Sequence, residues 1–454
     1  MTRHKQLERI KQKLKDAALT DADHQLFGAK SHKYAMNSLL SLDEIRQFEQ
    51  ANGVILPEEF SAFLMNIGNG GAGPYYGIHP LGKKQVIDLD RIAEPFPLQA
   101  EMTKEQWETE YPWINGECVI SDEEYEEASA KLFQGLLNIG EQGCTYEMML
   151  VVTGKHRGRV VYIDLDYQKP FVTYEAHFLD WYERWLDEVI AGYVTDWFGM
   201  RRGGDDKQLI ELYQSTAEER VKIEALDGMF KLKAISQETI NFLITEFAGS
   251  STALRSLSMQ VLAKMNFAEA EVFIRQELTS SHAENRLRAI QCIHWYMPKG
   301  DPRFNQHLIA LLPKESDEET FRFICYILQA GGVELLPMLQ PFFKHPNEEI
   351  RVQAVYQAGQ SDIKADYLAD FMALLDDPAV RVQHITLQAL AGVTDPRLLP
   401  IYERLLKQHE TDKDYIRSNI ERRLEEFPYN SKEQLDKVFS SVLKQVGKLF
   451  RKKL

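Results

Sequence analysis

Three kinds of residue cluster in this chain could do chemistry. Glycines 68, 70, 71, 73 and 77 surround Asn69, Tyr75 and Tyr76, and glycine-rich backbone can bring N–H groups up to a phosphate. No GxxxxGK[ST] sequence is present, and the apolar period before Gly68 is that of a helix that ends there. A nucleotide cradle needs the reverse order, so the stretch reads as a structural loop. On such a loop Asn69, Tyr75 and Tyr76 are candidate contacts for a protein partner, because tyrosine makes a good interface anchor.

The second cluster is acidic: Asp122, Glu123, Glu124, Glu126 and Glu127 follow Ser121. Ser121 with Glu124 forms a capping box, so one reading is a solvated helix start whose acids complement the helix dipole. The other is a surface that imitates a nucleic-acid backbone or pairs with the lysines and arginines of a basic protein partner. Residues 101–150 hold 12 acids and two bases, and residues 1–200 hold 32 acids against 19 bases, within a net charge of −15 for all 454 residues. Such a field repels nucleic acid and steers a basic protein.

The third group is catalytic by type only. Cys144 lies in Gly143-Cys144-Thr145 with no nucleophile elbow or assignable base, and reads as a core cysteine. Asp164 and Asp166 share a strand face and read as a strand terminus. The twelve histidines include no HExxH, HxH or i, i+4 pair. No metal, cofactor or catalytic residue is assigned, and the chain is read as no enzyme. Four cysteines without a CxxC pair suit a reducing, cytoplasmic setting, and no run is long enough to span a membrane.

The elements that must position these residues are punctuated clearly. Ser41 and Glu44 cap a helix ending at Gly53, and Pro57 opens a second with Phe60, Phe63, Leu64 and Ile67 on one face. Leu136–Ile139, Met148–Val152, Val160–Leu165 and Phe171–Tyr174 have strand character, with Gly154 to Gly158 as a hairpin turn. The unbroken run Met148–Val152 predicts a strand covered on both faces. Phe178, Leu179, Tyr182, Trp185, Leu186, Val189 and Ile190 then mark a final amphipathic helix.

After Arg201-Arg202-Gly203-Gly204 strand signals stop and a repeat begins. Arg220, Arg255, Arg286, Arg322, Arg351, Arg381 and Arg417 each open an apolar helical stretch at intervals of 29 to 36 residues. The best pair aligns Arg351-Val352-Gln353 with Arg381-Val382-Gln383, each after an acidic turn. The expected organisation is an N-terminal helix (1–23), an α+β domain (24–198), a linker (199–207), a helical repeat array (208–428) and a C-terminal amphipathic helix (429–454) that caps the array. Residues 431–454 carry seven bases and two acids, so contact with an anionic membrane is a second reading for that helix. The basic, amphipathic start of the chain admits the same pair of readings.

Two resemblances follow. The arginine-led helix pairs resemble HEAT-like repeats, which implies an all-α solenoid with a binding surface. The first domain resembles the SUKH superfamily of Smi- and Knr-like proteins, through Ser41-Leu42-Asp43-Glu44-Ile45, Leu56-Pro57-Glu58-Glu59-Phe60, Gly68-Asn69-Gly70-Gly71-Ala72-Gly73, Gly77-Ile78-His79-Pro80-Leu81, Leu150-Val151-Val152-Thr153-Gly154 and Gly158-Arg159-Val160-Val161-Tyr162. The resemblance implies a mixed sheet with flanking helices and, in bacteria, an immunity protein that binds and neutralises a toxin, often a nuclease. An intracellular scaffold or adaptor that binds its partner through the repeats is the alternative. The sequence assigns neither the partner's identity nor an oligomeric state.

Overall fold

The computed structural model describes residues 3–87, 89–99, 102–114, 118–249, 251–409 and 415–427. The C-terminal helix expected at 429–454 lies outside them. The chain separates into two compact units, Met1–Val261 and Leu262–Leu454.

The first unit is organised around a four-stranded sheet of β1 (Leu136–Gly143), β2 (Tyr146–Val151), β3 (Val160–Asp164) and β4 (Phe171–Val172), in the order β1-β2-β3-β4. Each pairing is antiparallel, not mixed as expected. The physical reason is the connections: short turns join successive strands, and a parallel pair would need a long crossover. The central strand β2 is covered on both faces, as its apolar run predicts.

One face buries Met148, Leu150, Val160 and Tyr162 against the helices Glu58–Asn66 and Phe178–Ile190. The second of these helices is apolar round most of its circumference, with Phe178, Trp181, Tyr182 and Leu186 wholly buried. Two of its polar tips find partners: Trp181 Nε1 donates to Tyr162 Oη at 3.0 Å, and Tyr182 Oη donates to the Ala72 carbonyl at 2.8 Å. Satisfied tips let such rings sink fully into a core.

The N-terminal helix Arg3–Thr20 packs on the same helix, burying Leu7, Ile10, Leu14 and Ala17. Its bases meet acids there: Arg9 and Lys13 both pair with Glu183, and Lys13 also with Asp187. The face proposed for a membrane is therefore used inside the domain.

The edge strand β1 is closed by a side chain. Gln85 Nε2 donates to the Asn138 carbonyl at 2.9 Å, and its Oε1 accepts from Asn138 N at 3.0 Å.

The stretch 199–207, expected to be a linker, is packed. Arg202 stacks over Tyr174 at 4.0 Å and pairs with Glu224 at 2.6 Å. Arg184, buried between Glu175 and Glu188, donates to the Arg201 carbonyl at 2.5 Å. Lys231, only 2% exposed, donates to the carbonyls of Arg202, Gly204 and Gly228. These contacts bind the helices Asp206–Gln214 and Glu219–Gly228 to the α+β part within one unit.

The second unit is helical throughout its described residues. Helices run in pairs, and the second helix of each pair, Ala283–Tyr296, Glu318–Ala330, Glu348–Ala358, Val380–Ala389 and Ile416–Leu424, packs on the corresponding helix of the next.

Candidate functional site

The acidic residues sit on the outer face of the sheet. There Leu136, Met149, Val151, Val161 and Ile163 pack against Phe96, Leu98, Trp107 and Leu132. Two short helices, Lys104–Glu110 and Asp122–Leu132, form the cover. Leu132 is buried at the end of the second, and Tyr125 enters a ring cluster with Trp113 (5.3 Å) and Tyr167 (5.8 Å). Tyr167 is itself fixed by Trp107 Nε1, which donates to its carbonyl, and by its own hydroxyl on Ser129.

This anchoring turns Asp122, Glu123, Glu124, Glu126 and Glu127 outward, and all five are exposed. Their roles divide. Glu124 closes the capping box with Ser121, and accepting the Ser121 backbone N–H holds its carboxyl below the usual range. Glu127 is likewise held low by its hydrogen bonds to Lys131 and Arg91. Asp122, Glu123 and Glu126 make no ion pair among the described residues, and Glu105 and Glu110 of the neighbouring helix are exposed as well. What this surface can do is attract and orient positive charge.

The glycine loop divides differently from expectation. Tyr75 is a core residue at 6% exposure, because its hydroxyl reaches the Phe198 carbonyl at 3.0 Å. Burial pushes that hydroxyl far above the usual phenol range. Asn69 is a clasp: its Oδ1 accepts from Leu81 N and its carbonyl accepts from Asn37 Nδ2. Tyr76 alone of the three stays available, 39% exposed and packed edge-on against the half-exposed Phe27 at 5.3 Å. The loop's backbone N–H groups at 69, 71 and 72 donate to Ser38, Ile78 and Ala35, so they are not turned toward an anion. Gly71 adopts φ +117°, and a Cβ there would lie 2.5 Å from the Ala35 carbonyl oxygen. Glycine is required here by this close approach.

The seven arginines do not act alike. Arg286 and Arg351 make one and the same clamp. Arg286 grips Glu315 through Nε and Nη2, both at 2.8 Å, while Nη1 donates to the carbonyls of Ser280 and Ser281. Arg351 grips Asp377 at 2.9 and 3.0 Å, with Nη1 on the carbonyls of His345 and Pro346. Each ties its own turn to the acid of the next. Arg381 is not their equivalent: it is 61% exposed and reaches back to Glu349. The clamp position in its repeat belongs to Gln383, whose Nε2 donates to the Asp377 carbonyl six residues earlier, as Arg351 does to His345. In the helix pairs Arg351 therefore corresponds to Gln383 and not, as the shared Arg-Val-Gln predicts, to Arg381. Arg220 and Arg417 pair within their own helices with Glu224 and Glu421, and Arg322 pairs with Glu319. Arg255 lies over Phe247 at 4.2 Å.

Cys144 is exposed, not buried, because the β1–β2 turn holds it at φ +54°. Asp164 accepts from Asp166 N and ends β3. Among the described residues no group of three or more His, Cys, Asp or Glu is placed to hold a metal ion. Sequence reasoning missed a buried polar chain in which His79 Nδ1 meets Asn138 Oδ1 at 2.8 Å and Asn138 Nδ2 donates to Glu147 at 2.6 Å. Burial lowers the His79 pKa and raises that of Glu147. No spacing signal links residues 79, 138 and 147: the β1–β2 pairing brings 138 and 147 together, and the His79 backbone N–H, which donates to the Ile139 carbonyl at 2.8 Å, holds the third beside them.

The family model described as SMI1 / KNR4 family (SUKH-1) matches residues 39–184, which supports a SUKH-1 domain over the sheet and its flanking helices. No curated protein matches the chain. Among the described residues no helix is long and apolar enough to cross a membrane.

Proposed function

We propose that this chain is a non-enzymatic, cytoplasmic immunity protein whose SUKH-1 domain binds and neutralises a basic toxin domain, with the helix pairs forming a HEAT-like solenoid. The observation that carries this reading is the anchored acidic cover on the outer sheet face, where Asp122, Glu123 and Glu126 stand exposed and without an ion pair among the described residues. A helix start that served stability alone would need only the capping box and one or two acids. The test is protection: if a toxin domain is encoded beside this gene, cells expressing it should survive when the chain is co-expressed. Changing Asp122, Glu123 and Glu126 to lysine should abolish protection and slow association, with the wild-type rate falling as salt rises. Undiminished protection by the triple variant, or a salt-independent rate, would remove this surface from the interface. The second reading, an intracellular scaffold, is favoured by the exposed aromatic residues of the helical unit, among them Trp295 and Tyr356.

A further inference from the structure

Large apolar side chains stand exposed where the helices Arg3–Thr20 and Phe178–Ile190 end. The two helices run parallel, because the residues that pair between them rise together: Gln6 on Asp180 at 2.8 Å, Arg9 on Glu183 at 2.7 Å and Lys13 on Asp187 at 2.6 Å. Their C-terminal ends therefore share one edge of the domain. From that edge the two following segments turn to the same ring. Phe27, after the first helix, lies 6.4 Å from Tyr75, and the Tyr75 hydroxyl donates to the carbonyl of Phe198, after the second.

The segment after the second helix forms a turn closed by Phe198 N on the Thr195 carbonyl, which buries Phe198 and leaves Trp197 54% exposed. Phe27 is 51% exposed and stands edge-on to the exposed Tyr76. Three rings, each about half exposed, show roughly 300 Å² of apolar surface. Val194 and Leu19, both exposed at the same edge, extend it. Single apolar residues on a surface need no partner, but a patch of this size commonly marks a contact.

Two observations say what covers it. The charges that flank it are balanced: Asp23 and Lys30 lie on either side of Phe27, Asp196 precedes Trp197, and Lys233 reaches the end of the second helix at Gly192. All four are exposed and make no ion pair among the described residues. In a chain of net charge −15, a neutral patch is where two copies repel each other least. The area also fits, since a standard contact covers ~800 Å² on each partner, of which ~450 Å² is apolar.

We infer that this patch joins two copies of the chain in a two-fold dimer. Such a contact sets each patch on its own copy, so rings meet rings and a rim of both signs offers acids to bases. The inference is independent of the acidic cover on the sheet and of the toxin reading.

The experiment is sedimentation velocity on the full chain at micromolar concentrations, in low and in high salt. A dimer is expected, because a contact of this area holds at micromolar concentration or below. It should tighten as salt rises, since screening weakens the repulsion between two chains of like charge. Trp197→Ser with Phe27→Ser should raise the dissociation constant at least tenfold, and Trp197→Ser alone, at the tip of its turn, should raise it in the same direction. Trp295→Ser with Tyr356→Ser, which removes exposed rings of the helical unit, should leave it unchanged. A monomer throughout the micromolar range overturns the inference, as does a dimer that both patch variants leave intact or that the Trp295 and Tyr356 changes dissociate. So does a dimer that salt dissociates, or that a chain ending at Phe427 fails to form, since the basic residues 428–454 would then make the contact.

Discussion

On one face of the sheet, Met148, Leu150, Val160 and Tyr162 lie under aromatic-rich helices whose rings are buried. On the other, Met149, Val151, Val161 and Ile163 lie under two short helices that bury Trp107 and Leu132 but send carboxylates outward. The two covers use the same strands and split the work. The first concentrates apolar area and satisfied polar tips, which stabilise; the second spends its surface on charge, which contributes little to stability and much to encounter.

The sharpest way to break this contrast is by truncation. Trp181→Ala, under the inner cover, should cost ~3–5 kcal/mol in denaturant unfolding, and Tyr125→Ala, at the outer cover, ~1 kcal/mol. Comparable costs would mean that the outer helices are structural after all. The same contrast recurs between chemically identical residues of the helical unit. Arg351, whose clamp is 11% exposed, should lose ~1.5–3 kcal/mol on change to alanine. Arg381, which lies mostly in water, should lose under ~1 kcal/mol.

A titration probes the inner cover separately. Burial pushes His32 down to about 4, with Nδ1 accepting from Tyr34 N at 3.0 Å. The neutral ring is the folded form, whereas the unfolded chain takes up a proton below its ordinary pKa near 6.5. Stability is therefore full above pH 6.5 and declines toward pH 4, by on the order of 2 kcal/mol at pH 5. His32→Gln should flatten this part of the pH profile, and an unchanged profile would assign the loss to other groups. The smallest effect belongs to the exposed Asp122, Glu123 and Glu126, whose change to lysine should leave the denaturation midpoint nearly unchanged.

Local signals in the sequence were read well where the physics is local. The capping boxes at Ser41 and Ser121 and the left-handed stop at Gly53 stand where their residues place them. The two-sided burial of Met148–Val152 follows from an apolar run that no half-exposed strand would carry. What escaped depends on distant partners. Tyr75 is buried because Phe198, 123 residues away, offers a carbonyl. The repeated Arg-Val-Gln of residues 351 and 381 suggested a register that the turn's backbone overrules, since Gln383, not Arg381, bonds the carbonyl six residues before it as Arg351 does. Strand direction was missed for the same reason: pairing is a property of two segments at once. The exposed Cys144 was missed because only the turn's backbone angle sets its position.

The amide of Gln85 has a consequence for how any partner is held. By offering both a donor and an acceptor to Asn138, one side chain imitates the peptide group of a fifth strand and occupies the place where such a strand would begin. Beside it the His79 backbone N–H donates to the Ile139 carbonyl at 2.8 Å. The middle of the β1 rim is thus already paired, so a foreign strand that zipped on there, in a fibril or a strand-addition complex, would first have to displace the chain's own groups.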